Sequence, residues 1–346
     1  MKILLTAIAW MAMGPVPFYD DKADLLHYID GGQRHAIRSE RDWRIRRAHI
    51  IANMEQVMGP LPAAKKMPLE IVVEEESRLA KFTRRKITFR TRDGDRVPAY
   101  LLIPHGAKKR QAALALHQTI KIGKSEPTGL GTNPNLRYGE ELAERGWVVI
   151  APDYPNFGDY KADPYAMGYI SATMKGIVNH MRAVDVLISM PEVDPKRIAA
   201  IGHSLGGHNS LYVAVFDPRI KAVVTSCGFN SFRKYYGGNL TGWSHKGYMP
   251  RIADTYAKSP EKMPFDFTEV LGALAPRPVF INAPLKDANF EVSGVRDCIA
   301  AAQPVYERVF HAPGRVTVVH PDVAHSFPTE VREQAYTFLE RSLGAP

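Results

Sequence analysis

The sequence predicts an α/β fold, a mostly parallel sheet covered by helices on both faces. Three observations predict it. Short apolar runs recur along the chain, as in AALALHQ, WVVIAPD, RIAAIGHS, IKAVVTSCG, PVFINA and VTVVHP. Amphipathic stretches separate them, and parallel neighbours need such helical crossovers. The runs are continuous rather than alternating, as strands buried on both faces must be. At 346 residues and 45% hydrophobic composition, the chain can bury a large core.

The elements follow in order. The first fourteen residues, MKILLTAIAWMAMG, match the n- and h-regions of a signal peptide and are too short to span a bilayer. They favour a secreted or periplasmic protein over a cytoplasmic one, although Pro15 follows directly and no clear Ala-x-Ala cleavage site is present. Residues 1–80 are expected to form an N-terminal helical extension, and 81–346 the main α/β domain. Within the extension, SERDWRIRRAHIIANMEQVMG has Ser39 as N-cap and stops at Gly59-Pro60, as helix boundaries should. RRKITFRT and VPAYLLIP flank Asp93-Gly94 and read as a pair of hairpin strands. A long helix follows the strand WVVIAPD. Its Ile170, Met174, Ile177, Met181, Val184 and Ile188 are three and four apart and form one apolar stripe. Residues 229–272 interrupt the alternation and read as a lid-like insertion.

Composition excludes several classes of function. The formal charge of +9 comes from scattered clusters, Arg44-Ile45-Arg46-Arg47, Arg84-Arg85-Lys86 and Lys108-Lys109-Arg110, without a nucleic-acid module. No nucleic-acid partner and no integral membrane segment are expected, while an anionic substrate remains compatible. Cys227 and Cys298 make neither a disulfide framework nor a metal-ligand spacing, and read as small buried hydrophobes. The twelve histidines show no zinc pattern, so no metal is expected.

The chemistry concentrates in Gly202-His203-Ser204-Leu205-Gly206, at a strand-to-helix junction. A nucleophilic serine on a sharp turn needs that context, with small residues two before and two after it. A serine hydroxyl also needs a base, and the base needs an orienting acid. Asp287 follows a strand end and His325 lies in the loop beyond the last strand, in the chain order serine, acid, histidine. Asp322, Asp297 and His320 are weaker rivals. An oxyanion hole takes one amide from Leu205 and a second from the loop ALHQTIKIGKSEPTGLG, where Thr119 is favoured and Gln118 comes second. His117 reads as a brace for that loop. Asp153-Tyr154 either lines the cleft or closes a turn. Nine of the 44 residues in 229–272 are aromatic, about twice the chain average of 10%. Trp243, Tyr248 and Arg251 are therefore the candidate substrate contacts, with a self-packed cap as the competing reading.

With these residues in view, the chain resembles the α/β-hydrolase superfamily, and within it bacterial acetyl xylan esterases and dienelactone-hydrolase-like proteins. The likeness runs over roughly residues 84–343 and rests on LHQT, APDYPNFGDY, RAVDVLISMPEVDPKRIAAIGHSLGG, LAPRPVFINAPLKD and DVAHSFP. It implies an α/β-hydrolase fold and cofactor-free hydrolysis of carboxylic esters through an acyl-enzyme, on a small-molecule or carbohydrate ester. Two departures matter. Dienelactone hydrolases proper use a cysteine nucleophile where this chain has serine, and Gln118 replaces the glycine usual in the oxyanion loop. The alternatives are a small peptidase or amidase of the same fold and a catalytically silent binding module.

Overall fold

The computed structural model describes residues 16–63, 67–91, 93–106 and 109–344. The signal-peptide reading of residues 1–14 lies outside them. The chain runs β1 (His27–Asp30), β2 (Gln33–Ala36), α1 (Glu40–Met58), β3 (Val72–Arg78), β4 (Phe82–Arg90), β5 (Arg96–Pro104) and β6 (Arg110–Leu116). Then come α2 (Tyr138–Glu144), β7 (Val148–Pro152), α3 (Ala172–Ser189), β8 (Val193–His203), α4 (Leu205–Phe216) and β9 (Ile220–Ser226). The last part holds α5 (Arg251–Asp254), α6 (Phe267–Leu274), β10 (Val279–Asn282), α7 (Val292–Pro304), β11 (Val316–Val319) and α8 (Thr329–Leu343).

Nine strands make one sheet in the order β11-β10-β9-β8-β6-β7-β5-β4-β3. Strands β6 to β11 pair in parallel, and β5, β4 and β3 add antiparallel at one side. Each continuous apolar run of the sequence is a central strand. Ala112 to Leu116, Val148 to Ala151, Ile198 to Ile201 and Val223 are 0–2% exposed, because helices cover both faces. The two faces carry separate core clusters, one under α1, α3, α4, α6 and α7 and the other under α2 and α8. Among the described residues no helix is long and apolar enough to cross a membrane.

The described residues up to 80 are less helical than their composition suggests. Among them α1 is the one helix, opened by Ser39, whose hydroxyl accepts from the Asp42 amide at 3.3 Å. Residues 27–36 form a small hairpin, and β3 is the edge strand of the main sheet. Its glutamates would suit a helix in isolation. Opposite them, β4 presents Arg85 to Glu76 at 2.6 Å and Lys86 to Glu75 at 3.5 Å, and these cross-strand pairs favour the strand. Helix α1 lies on α6 through Arg46 and Glu269, a fully buried ion pair at 2.6 Å.

Candidate active site

Strand β8 ends at His203, and α4 begins at Leu205, so a single residue makes the turn. Ser204 has φ 53° and ψ −116°, a conformation that a non-glycine residue holds only when its surroundings dictate it. Its amide donates to the Ser226 carbonyl at 2.8 Å, while its own carbonyl accepts from Gly207 and His208. The flanking glycines are required by close approach. A Cβ on Gly202 would run into the Gly206 carbonyl, and one on Gly206 into the Leu116 carbonyl. The side chain of Ser204 is partly exposed at the carboxyl edge of the sheet, at the N-terminus of α4, where the helix dipole favours developing negative charge.

The acid and the histidine meet at the same edge. His325 Nδ1 donates to both Asp287 oxygens, at 3.0 and 2.9 Å. Burial by itself would raise the Asp287 carboxyl, but the hydrogen bond and charge of His325 and the amides of Phe290 and Asn289 outweigh it and hold the group below the ordinary carboxylate value. The Asp287 side chain is wholly buried, whereas that of His325 is 27% exposed. The His203 ring lies 4.8 Å from the His325 ring, and burial, with His325 alongside, pushes His203 down to about 3. Being neutral, His203 places no competing charge beside His325.

The rivals take other roles. Asp322 is exposed and pairs with Lys286 at 2.9 Å, Asp297 with Lys234 at 2.7 Å, and His320 Nδ1 bonds the Ala283 carbonyl.

The loop after β6, the expected oxyanion loop, is braced from behind. His117 Nδ1 donates to the Gln118 carbonyl at 2.6 Å, and its Nε2 accepts from the Tyr154 amide at 3.0 Å. The Gln118 side chain turns back to Glu126, leaving its backbone as the part that can face the site. Thr119 presents its hydroxyl to Tyr248 at 3.1 Å. Behind them, Asp153 is fully buried and accepts from the Lys124 amide and ammonium, both at 2.8 Å, and from the Asp159 amide at 3.0 Å. Of the two readings of Asp153, turn closure is the one observed. The Lys124–Asp153 pair went unrecognised in the sequence, because 29 residues separate the partners and neither belongs to a motif. A second missed group is Asn282, whose amide nitrogen donates to Ser226 Oγ and to the Ser326 carbonyl, both at 2.8 Å, pinning the residue next to His325.

Two of the three expected substrate contacts have other partners within the fold. Trp243 is 2% exposed, walled in by His208, Phe232, Tyr235, Phe267 and Phe290, and presents no face to a ligand. Arg251 reaches away to the Gln56 carbonyl of α1 at 2.7 Å and ties the cap to the N-terminal helix. Tyr248 is the one of the three held at the oxyanion loop.

The family model described as glucuronyl esterase of fungi matches residues 165–309, a span that includes the elbow, the cap and Asp287. The chain has the α/β-hydrolase fold. The chain is 24% identical to the protein YtaP of Bacillus subtilis (strain 168) over 271 residues, 72% of the chain and 84% of that protein. Among solved structures it is similar to a glucuronoyl esterase from Solibacter usitatus, with a TM-score of 0.73 at 20% identity over 95% of this chain and 99% of that one. It is also similar to the acetyl xylan esterase from Paenibacillus sp. R4, with a TM-score of 0.60 at 18% identity over 88% and 96%.

Proposed function

We propose that this chain cleaves a carbohydrate ester through an acyl-enzyme on Ser204. The observation that carries the reading is the convergence of the strained Ser204 turn and the His325–Asp287 pair on one edge of the sheet. His325 Nε2 takes the Ser204 proton as Oγ adds to the ester carbonyl, while the carbonyl oxygen becomes an oxyanion facing the Leu205 and Thr119 amides. Collapse of this intermediate breaks the ester bond, and the alcohol leaves with the proton held on His325. Water then attacks the acyl group by the same route, releasing the acid and restoring Ser204. Asp287 keeps Nδ1 protonated and steadies the imidazolium without itself being protonated.

The sugar is assigned to the acid side of the ester, as a uronate. The matching family model and the Solibacter structure are named for glucuronoyl esters, and the formal charge of +9 draws the chain to anionic polysaccharide. A fluorophosphonate probe and a substrate panel test both parts. The probe should label Ser204, and methyl esters of a uronic acid should be cleaved faster than acetylated xylan or peptide anilides. Absence of labelling ends the serine mechanism. Preference for acetylated xylan moves the sugar to the alcohol side.

A further inference from the structure

The Cys227 thiol has no part in the reaction above, yet it lies beside the two residues that handle the proton. One donor atom from each of Cys227, Asp287 and His325 lies within 4.8 Å of the other two. Cys227 is 2% exposed and follows the end of β9 with φ 48°, in the left-handed region that favours glycine. Its amide donates to the Asn282 carbonyl at 2.9 Å, and its sulfur lies 3.5 Å from the carbonyl of Ser326, the neighbour of His325. Bonds from two adjoining segments thus aim the thiol at the acid–histidine pair. Burial, reinforced by the Asp287 carboxylate, pushes this thiol well above its ordinary value, so it is inert as a nucleophile in its own right.

Sulfur, imidazole nitrogen and carboxylate oxygen are the donor types of zinc sites with an open fourth position. His325 Nδ1 and the nearer Asp287 oxygen are 2.9 Å apart and the sulfur lies within 4.8 Å of both, so it is the sulfur that would close in for all three donors to reach zinc bond lengths of about 2.0–2.3 Å. His325, the partly exposed member, lies on the side from which an ion can enter.

We propose that Cys227, Asp287 and His325 form an inhibitory site for a thiophilic divalent cation. Binding makes bonds to the Cys227 sulfur, an Asp287 oxygen and His325 Nδ1, and the thiol proton is released to solvent. The proton that Nδ1 now shares with Asp287 moves through water to Nε2. His325 then has no free nitrogen to take the Ser204 proton, and turnover stops. The proposal shares Asp287 and His325 with the esterase reading, so its first test does not depend on turnover.

Titration of the metal-free full chain with Co²⁺ should produce a near-ultraviolet thiolate-to-cobalt charge-transfer band that Zn²⁺ abolishes by competition. Cys227→Ser should lose the band, and Cys298→Ser should keep it. A band retained in C227S, or absent from the native protein, overturns the site. The second arm measures Zn²⁺ inhibition of p-nitrophenyl acetate hydrolysis, each variant normalised to its own metal-free rate. Half-inhibition of C227S should need at least tenfold more Zn²⁺ than that of the native chain, and equal sensitivity overturns the proposal. If C227S does not fold by near-ultraviolet circular dichroism, Cys227→Ala replaces it in both arms. A cobalt band on a protein that cleaves no ester keeps the metal site and rejects the esterase reading.

Discussion

The elbow and the cap meet where Tyr248 packs against the cluster that includes Leu205, and they are held by opposite means. At the elbow, backbone meets backbone. Gly202 packs on Gly206, Gly206 on Leu116, and the Ser204 amide is bonded to Ser226, so the turn has almost no room for another residue or another conformation. In the cap, side chain meets side chain. Phe232, Tyr235, Trp243, Phe265 and Phe267 fill its interior and merge with the main core. Close backbone approach admits one residue type and leaves a short motif in the sequence. Aromatic packing admits many, and the same composition would serve a ligand platform or a plug. The elbow was therefore readable by inspection, and the cap was not.

Substitutions can break or sharpen this contrast. The largest effect should come from Ser204→Ala, which should lower kcat by about 10⁶ and abolish probe labelling without moving the melting temperature by more than a few degrees. Labelling at the native rate would reject the elbow as the reactive centre. Asp287→Asn should follow, lowering kcat by about 10⁴ through loss of the productive imidazole tautomer. If Asp322→Asn were the more damaging change, the acid would have been assigned to the wrong loop. Asp287 also sets an acid limit on the native protein. Its folded-state value lies below the ordinary one, so its stabilisation is present above the ordinary carboxylate range and is lost as pH falls through the lowered value.

The cap should respond in stability rather than in chemistry. Trp243→Ala should destabilise the chain by about 3–5 kcal/mol, read as a fall in melting temperature, with little change in KM for the protein that remains folded. A raised KM with unchanged melting would restore Trp243 as a ligand face. Asp266, the N-cap of α6 in the same region, is pushed up to about 7 by burial. A raised carboxyl favours the neutral form in the folded state. Its contribution is present below the ordinary carboxylate value and is lost as pH rises through about 7. Asp266→Asn keeps the cap and removes the titration. It should leave stability unchanged near pH 4 and raise it near pH 8 by a few kcal/mol at most, read as a higher melting temperature at pH 8 alone. Equal melting curves at both pH values would mean that Asp266 is already relieved of its charge penalty. The smallest effect should be that of Tyr248→Phe, which removes one hydroxyl contact to Thr119. A loss in kcat/KM of a few-fold with unchanged melting is expected.

By itself, the sequence determined the parallel core strands, the bounds of α1, the elbow at Ser204 and the order of Ser204, Asp287 and His325. Each rests on a local demand: continuous apolar runs, a capping serine, glycines where a Cβ cannot fit, or loops that the fold must bring to one edge. Only the tertiary structure decided that β3 joins the sheet, since its glutamates need the arginines and lysine of β4 to favour a strand. It alone turned Arg251 toward α1 and Trp243 into the core, and joined Lys124 to Asp153 behind the oxyanion loop. Burial and pairing are properties of what lies opposite a residue, and no neighbour in the sequence reports them.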